Sequence, residues 1–172
     1  MTTPDAAEDR LAVLEERLRV LEDELAINRL LTSYGPFVDG GEADAVAGQW
    51  TEEGVYDVDE RYMAGREQLG AMVRSKAHQG YIAAGCAHFL GPAHVTLHGD
   101  SAVAVCHSLM VVNGGGEFGT DAAFAVRRAT AHHFELVRTD EGWRVTRRTS
   151  RVLDGRPEAP ALLVRGVRGL PA

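Results

Sequence analysis

The spacing of apolar residues changes near the middle of the chain, and this change constrains the fold more than any other feature of the sequence. Before residue 80 the apolar residues recur mainly at helical spacing, whereas later they fill long strand-like runs. The predicted helices span residues 10–39, 43–50 and 66–77. A short strand is predicted at 55–58, and long strands at 87–97, 101–112, 122–138 and 143–152. Helices followed by antiparallel strands are typical of an α+β domain whose helices pack on one face of a curved sheet.

The first predicted helix contains a row of leucines with heptad spacing. Its members are separated alternately by three and four residues and are Leu11, Leu14, Leu18, Leu21 and Leu25. Charged residues lie between them. A seam of about three heptads is short for an independent coiled coil. Two interpretations therefore stay open: the helix packs along its own domain, or it associates with other copies of the chain.

Proline and glycine mark the end of this helix. Pro36 cannot donate a hydrogen bond to the carbonyl of Thr32, so we expect it to kink or break the helix there. Gly40 and Gly41 then end the helix.

Length and composition indicate one globular domain. The chain has 172 residues, of which 45% are hydrophobic and 25% charged, and a net charge of −7. A pI near 5.5 argues against nucleic-acid binding, and no run approaches the roughly 20 apolar residues that cross a membrane. The two cysteines cannot form a disulfide framework, which favours a reducing cytoplasm. Residues 1–9 are expected to be a disordered lead, and residues 154–172 a C-terminal tail.

Motifs for nucleotide, nucleophile or metal chemistry are weak. No GxxxxGK[ST] or GxSxG motif occurs, and the glycine-rich stretch 113–119 is interpreted as a hairpin loop. The seven histidines include no HExxH or HxH pattern, so a metal site is not expected. His132 and His133 are adjacent on a predicted strand and therefore point to opposite faces.

Polar side chains occupy strand positions where a sheet covered by helices should be apolar. Alternation in the second long strand places His107 on one face among four aliphatic residues. In the last strand Arg147 and Arg148 point to opposite faces, so at least one of them is expected to face inward. A buried guanidinium needs a carboxylate or a bound anion. Asp39, at the end of the first helix, is the candidate partner of Arg148.

Several stretches together resemble the SnoaL-like proteins of the nuclear transport factor 2-like superfamily. They are residues 30–45 (LLTSYGPFVDGGEADA), 50–56 (WTEEGVY), 65–69 (GREQL), 87–91 (AHFLG) and the closing hairpin 136–148. Their order and spacing extend the resemblance over residues 10–153, which we take as the domain. The resemblance implies a cone-shaped α+β barrel, with N-terminal helices packed on a curved antiparallel or mixed sheet.

The chain is most similar to the branch with scytalone dehydratase, bile-acid dehydratase and hexachlorocyclohexane dehydrochlorinase. Those enzymes use an Asp at the end of the first long helix and a His on the strand after the third helix, matched here by Asp39 and His88. A Tyr of the bile-acid enzyme matches Tyr34, and a polar-facing Arg of the dehydrochlorinase matches Arg148, which implies that Arg148 points into the cavity. The resemblance implies that these four residues are catalytic. His132 falls where scytalone dehydratase has a substrate-facing Asn.

Further positions either add expected substrate contacts or differ from the catalytic residues of these enzymes. Tyr56 and Trp50 are expected to contact the substrate, Tyr56 as a hydrogen-bond donor. A later Asp of the bile-acid enzyme falls near Val111, and the second catalytic His of scytalone dehydratase falls near Asn113. His107 is the candidate that compensates for these departures.

The resemblance implies a cofactor-independent lyase or isomerase. His88 and Asp39 would carry out general acid–base catalysis on a cyclic, mostly apolar metabolite such as a polyketide or steroid-like ring. A polyketide cyclase needs the same two residues in a cavity of a different shape. A non-catalytic ligand-binding or assembly module is the third hypothesis. A blocked cavity, or Asp39 far from His88, would favour that third hypothesis.

The expected partners are a hydrophobic small molecule and further copies of the chain, with no nucleic acid and no membrane. Val95, Leu97 and Phe134 are predicted to lie on the outer face of the sheet. The related dehydratases are trimers, so a homotrimer is expected, with a dimer as the alternative.

Overall fold

The computed structural model describes residues 4–115 and 123–172, with side chains from residue 7 onward. Residues 1–3 of the predicted lead, residues 116–119 of the predicted glycine-rich loop and the first residue of the predicted strand 122–138 lie outside the described residues. The helices are α1 (Pro4–Asp39), α2 (Ala43–Gly48), α3 (Arg66–Arg74), α4 (Lys76–Ala84) and α5 (Glu158–Val167). The strands are β1 (Trp50–Val58), β2 (Arg61–Ala64), β3 (Cys86–Leu90), β4 (His94–His98), β5 (Ser101–Asn113), β6 (Phe124–Thr139) and β7 (Gly142–Val152).

The strands form one mixed sheet of seven strands. Its order is β2-β1-β7-β6-β5-β3, and β4 pairs with β5 beside β3. The pair β1 and β7 is parallel, and every other pair is antiparallel. In the part of the chain that the structure describes, the sheet does not close on itself. The predicted α+β class, with N-terminal helices packed on a mixed sheet, is confirmed.

The core lies between α1 and one face of this sheet, which we call the inner face. The buried residues of α1 that form it include Ile27, Leu31 and Val38. They pack with alternate residues of the long strands, such as Ala104 of β5 and Phe134 of β6. Residues between these point to the opposite, outer face, because side chains alternate along a strand.

Three apolar residues predicted on the outer face belong to the core instead. Phe134 is 2% exposed, and Val95 and Leu97 pack against the same buried cluster. The predicted facing of these strands was shifted by one residue. Because side chains alternate along a strand, such a shift moves every residue to the opposite face. These residues therefore give no support to an interface between copies.

Two predicted elements are each divided. The predicted helix 66–77 is two helices, because Ser75 adopts an extended conformation and its side chain caps α4 by accepting from the His78 backbone N–H. The predicted strand 87–97 is interrupted after Leu90, where Pro92 has no N–H to donate. Its two parts, β3 and β4, pair with successive segments of β5.

Helix α1 is longer and more regular than predicted. It is helical from Pro4, so the disordered lead predicted for residues 1–9 is wrong from residue 4 onward. Pro36 lies inside the helix without ending it. Thr32 is exposed, so water can replace the amide donor that Pro36 lacks, and only one turn follows before Asp39. Although α1 has 36 residues, none of the described helices is both long and apolar enough to cross a membrane.

The predicted C-terminal tail contains α5, which packs on the outer face of β5 and β6. A Cβ added to Gly166 would lie 1.9 Å from Val105 Cγ1 and 2.9 Å from His133 Cδ2. The His133 Nε2–H donates to the carbonyl of Leu170 at 2.8 Å, beyond the end of α5. Residues 158–170 are therefore an integral layer of the domain.

Gly166→Ala should weaken this layer, because the new methyl group overlaps the Val105 side chain. We expect the free energy of unfolding to fall by about 1–3 kcal/mol, measured by denaturant titration. Gly80→Ala in α4 is the matched control, since nothing lies within 4 Å of its added Cβ. That control should leave stability unchanged or raise it by up to about 1 kcal/mol. Equal stabilities of the two variants would show that α5 is not tightly docked.

Candidate active site

A cavity of about 970 Å³ lies between the inner face of the sheet and the helices α1, α3 and α4. Its interior is lined by aromatic, apolar and polar side chains together. The lining residues that can bear on chemistry or substrate contact are Tyr34, Tyr56, His78, His88, Ser108, Met110, His132 and Arg148. Charged residues, among them Glu60, Arg61, Arg127, Arg156 and Glu158, also contribute to the wall. The volume is typical of a small-molecule site.

His88 and Asp39 meet at the wall of this cavity. The Nδ1 atom of His88 lies 2.6 Å from Asp39 Oδ1, and the His88 backbone N–H donates to Asp39 Oδ2 at 2.7 Å. The predicted contact between the two residues is therefore present. A carboxylate only accepts, so the neutral imidazole carries its proton on Nδ1 and leaves Nε2 free to accept a proton. Asp39 itself does not line the cavity and lies behind His88.

The environment keeps Asp39 ionised. Burial alone would raise the pKa of this carboxyl, but hydrogen bonds from the His88 side chain and backbone outweigh it. The Cys86 thiol adds a weaker hydrogen bond at 3.5 Å. The pKa of Asp39 consequently lies below its ordinary value of 3.8.

Asp39, Cys86 and His88 place one ligand-type atom each within 4.8 Å of one another. Their atoms already bind one another through the hydrogen bonds just described. Burial, followed by the charge of Asp39, raises the pKa of the Cys86 thiol to about 11. Since a thiolate is the form that ligates metals, this thiol is poorly suited to a metal site.

A glycine allows α1 to approach β3 closely enough for this contact. A Cβ added to Gly35 would lie only 2.1 Å from the carbonyl oxygen of His88. Gly35 stands one turn before Asp39, so the same close approach brings the Asp39 carboxylate to the His88 ring. Sequence reasoning missed this role, because a glycine inside a helix has no local signature of what it touches.

Arg148 is buried, but its partners are aromatic rings and not a carboxylate. It is 2% exposed, and its guanidinium carbon lies 4.2 Å from the centre of the Tyr34 ring and 4.6 Å from that of Tyr56. The ring of Phe134 follows at 5.1 Å. Among the side chains of residues 7–115 and 123–172, no carboxylate pairs with Arg148. The predicted pair with Asp39 is wrong, since His88 occupies both oxygens of Asp39.

His132 lies beside Arg148 and is held by two hydroxyl groups. Its Nδ1 is 2.6 Å from the Ser150 Oγ, and its Nε2 is 2.7 Å from the Ser108 Oγ. The Arg148 Nη2 lies 3.3 Å from both ring nitrogens. Burial, and then the charge of Arg148, lower the pKa of His132 well below 6.5. His132 is therefore a neutral imidazole, and it lies in the cavity wall, where the sequence placed it.

A β-bulge turns Arg148 inward. The pairing of β6 with β7 passes from Glu135↔Arg147 to Leu136↔Val145, which leaves Thr146 without a partner. Trp143 and Val145 precede the bulge on the inner face. Arg148 and Ser150 follow it on the same face. Strict alternation from Trp143 would have placed Arg147 there instead.

The other predicted substrate contacts divide into one correct placement and two errors. Tyr56 lines the cavity as predicted. Trp50 is buried in the core, 6.1 Å from the rings of Tyr34 and Tyr56, and supports them without reaching the cavity. His107 is exposed and lies on the outer face, because the even-numbered residues of β5 face inward. It cannot compensate for a missing catalytic group.

Helix α4 contributes two cavity residues that sequence reasoning missed. The His78 Nε2–H donates to the Val38 carbonyl at 2.9 Å, and the ring lies 5.8 Å from that of His88. Tyr81 follows one turn later and also lines the cavity. The capping serine Ser75 was the available signal, since it marks a new helix where a single one was predicted.

The model of the SnoaL-like domain family matches residues 19–149. The chain belongs to this family. An NTF2-like protein with a cystatin-like fold from Novosphingobium aromaticivorans is 40% identical. The alignment covers 89% of this chain and 96% of that one, with a TM-score of 0.82.

More distant structures share the fold. A candidate aromatic ring hydroxylase from N. aromaticivorans is 28% identical, with 77% of this chain and 90% of that chain covered and a TM-score of 0.59. A candidate dehydratase of the NTF2-like family from Streptomyces avermitilis has the same TM-score at 15% identity, over 77% of this chain and 97% of that one. The second likeness shows the fold alone. No curated protein gave a match.

Gly35→Ala should separate α1 from β3, because its methyl group overlaps the His88 carbonyl oxygen. We expect a loss of about 1–3 kcal/mol of stability, or more, in thermal unfolding. The low-field proton signal of the His88 Nδ1–H should also shift in an NMR spectrum. Gly48→Ala in α2 is the control, since its added Cβ meets nothing within 4 Å. An unshifted His88 signal in Gly35→Ala would mean that this close approach does not hold the contact with Asp39.

The neutral state of His132 predicts a loss of stability in mild acid. Its pKa is lowered on folding, so below about pH 6.5 the unfolded chain binds a proton that the folded chain does not. The free energy of unfolding should therefore fall between about pH 7 and 5, by up to about 1.4 kcal/mol per pH unit. His133, whose pKa burial also lowers, adds to the same trend. Melting temperatures of His132→Gln should decline less steeply than those of the wild type, and parallel declines would contradict the assignment.

Proposed function

We propose that this SnoaL-like protein is a cofactor-independent lyase, dehydratase-like in its chemistry, or an isomerase, with His88 and Asp39 as its acid–base pair. The single observation that carries the proposal is the 2.6 Å contact of Asp39 with His88 at the wall of a large cavity. This arrangement holds one imidazole nitrogen on a fixed carboxylate and leaves the other to react.

His88 acts as the general base. Its Nε2 accepts a proton from a carbon next to a carbonyl group of the substrate, and the electrons of that C–H bond form a new C=C bond. In a dehydration, the hydroxyl group on the neighbouring carbon leaves with its bonding electrons and takes back the proton that His88 accepted, so that water is released and His88 is neutral again. In an isomerisation, His88 returns the proton to another carbon. The ionised Asp39 stabilises the imidazolium formed in either reaction.

The group around Arg148 stabilises negative charge on the substrate. The guanidinium is buried and permanently charged, and it has no carboxylate of the described chain to neutralise it. Charge developing on a carbonyl oxygen would therefore interact with it strongly, because the surrounding rings exclude water. Burial raises the pKa of Tyr34, so this phenol stays protonated. The Tyr34 and Tyr56 hydroxyls are candidate donors to the same oxygen.

The size and lining of the cavity are suited to a ring-shaped substrate with polar substituents. Its volume of about 970 Å³ is at the upper end for small-molecule sites and fits a polyketide or steroid-like ring system. Met72, Leu90 and Met110 offer apolar contacts to such a ring, and the charged residues of the wall offer contacts to its substituents. A substrate with at least one polar or anionic group fits this lining better than a wholly apolar one.

These observations bear differently on the alternative functions, a polyketide cyclase and a non-catalytic module. The cavity and the short contact between Asp39 and His88 favour an enzyme over a non-catalytic binding or assembly module. A polyketide cyclase uses the same pair of residues, so only the product distinguishes it. The candidate dehydratase from S. avermitilis shares the fold of this chain, and this likeness gives no information about the substrate. We place the reaction in the cytoplasm, a reducing compartment in which the two unpaired cysteines would remain thiols.

Incubation with a panel of hydroxylated polycyclic ketones tests the proposal, with products identified by mass spectrometry. A loss of 18 mass units, the mass of water, indicates dehydration, and an unchanged mass with a new absorption spectrum indicates isomerisation. His88→Ala should lower turnover on the order of 10²-fold or more, because it removes the base. Asp39→Asn should lower it as well, since an amide cannot stabilise the imidazolium.

His107→Ala is the matched control, because His107 lies on the outer face away from the cavity. It should turn over the same substrate at the wild-type rate. A wild-type rate in His88→Ala would remove His88 as the base. Binding of panel compounds without any product would favour the non-catalytic module.

A further inference from the structure

The leucine row of α1 lies in solvent. Its members are between 49% and 62% exposed: Leu11 56%, Leu14 56%, Leu18 56%, Leu21 62% and Leu25 49%. Residues 7–19 of the helix are all exposed, and the first buried residue is Asp23. The helix therefore extends beyond its own domain before Asp23, and we call residues 7–25 the helix extension. Because its leucines are exposed, the seam does not pack along its own domain, and the first of the two interpretations is excluded.

The helix extension is fixed in direction by contacts on its opposite side. Asp23 accepts from the Arg138 guanidinium at 2.6 and 2.7 Å, and from the Trp143 Nε1–H at 3.1 Å. Ile27, the next buried residue of α1, lies on the same side as Asp23. At 100° per residue, every leucine of the seam lies about 120–180° around the helix from both Asp23 and Ile27. The domain thus presents the leucine seam outward on a helix that is already formed.

The charged residues beside the seam match a parallel pairing of two identical helices. With Leu11 at heptad position a, the g positions are Arg10, Arg17 and Glu24, and the e positions are Glu15, Glu22 and Arg29. In a parallel, in-register pair, each g residue faces the e residue five positions later in the other helix. All three pairs then join opposite charges: Arg10 with Glu15, Arg17 with Glu22, and Glu24 with Arg29.

An antiparallel pairing does not fit the same residues. It would bring e positions of one helix against e positions of the other, and Glu15 and Glu22 would then repel. The charges therefore select both a partner and a direction. The partner that supplies the complementary seam is a second copy of this chain.

We propose that the helix extension forms a parallel, in-register coiled coil with a second copy of this chain. The seam is short, but it continues the helix that Asp23 and Ile27 anchor in the domain, so association does not have to nucleate a new helix. The five leucines of each copy lose their contact with water, and the flanking charges set the register. A third copy can join with the same parallel pairing, so this surface accommodates the expected trimer as well as a dimer.

Light scattering on the full chain tests the proposal. The wild type should have a mass of at least twice 18.6 kDa at micromolar concentration. Leu14→Glu combined with Leu21→Glu should reduce that mass to a single chain, with an unchanged circular dichroism spectrum of the domain. Val13→Glu is the matched control, because Val13 is 60% exposed on the same helix but outside the seam, and it should keep the wild-type mass. A monomeric wild type, or an assembly that survives both leucine changes, would overturn the proposal.

Charge reversal and cross-linking test the direction even if the leucine variant fails to fold. Arg17→Glu should weaken association at low salt, and adding Glu22→Arg to the same chain should restore it, since the pair is then reversed in both copies. Leu21→Cys should form a disulfide-linked dimer under mild oxidation, because position d faces position d in a parallel pair. Failure of the double reversal to restore association, or no cross-linking above that of the wild type, would exclude the parallel arrangement.

Discussion

The close approach of α1 to β3 is the constraint on which the rest of the site depends. Gly35 lets the helix backbone lie against the carbonyl of His88, and one turn later Asp39 reaches both the backbone and the ring of the same residue. These contacts join the first helix to the edge of the sheet. They also fix the imidazole tautomer, so one short segment supplies both packing and reactivity.

A second constraint is the burial of a permanent charge without a carboxylate. Arg148 is held by the faces of Tyr34, Tyr56 and Phe134 and by a neutral His132. Cation–π contacts stabilise a desolvated guanidinium but do not neutralise it. The charge therefore remains available to a substrate. Burial, and then this charge, keep the neighbouring His132 unprotonated. This separation of a fixed anion at Asp39 from a fixed cation at Arg148 is what the proposed chemistry uses.

Much of this arrangement could be predicted, and the errors have physical causes. The change from helical to strand periodicity gave the α+β class, and the resemblance to SnoaL-like proteins led to Asp39 and His88. His107 and Phe134 were assigned to the wrong faces because a shift of one residue exchanges the two sides of a strand. The partner of Arg148 was also wrong, because a sequence does not show that Asp39 is already occupied by His88.

By itself the sequence determined the class of fold, the family and the leucine seam, because these depend on local periodicity and on ordered motifs. The tertiary structure decided which residues share the cavity. It placed a bulge at Thr146, which carries Arg148 to the face of Trp143, and it added α4 with His78 and Tyr81. Bulges and close backbone approaches arise from pairing between distant segments. No pattern within one segment encodes them, and so the site is a property of the packed chain.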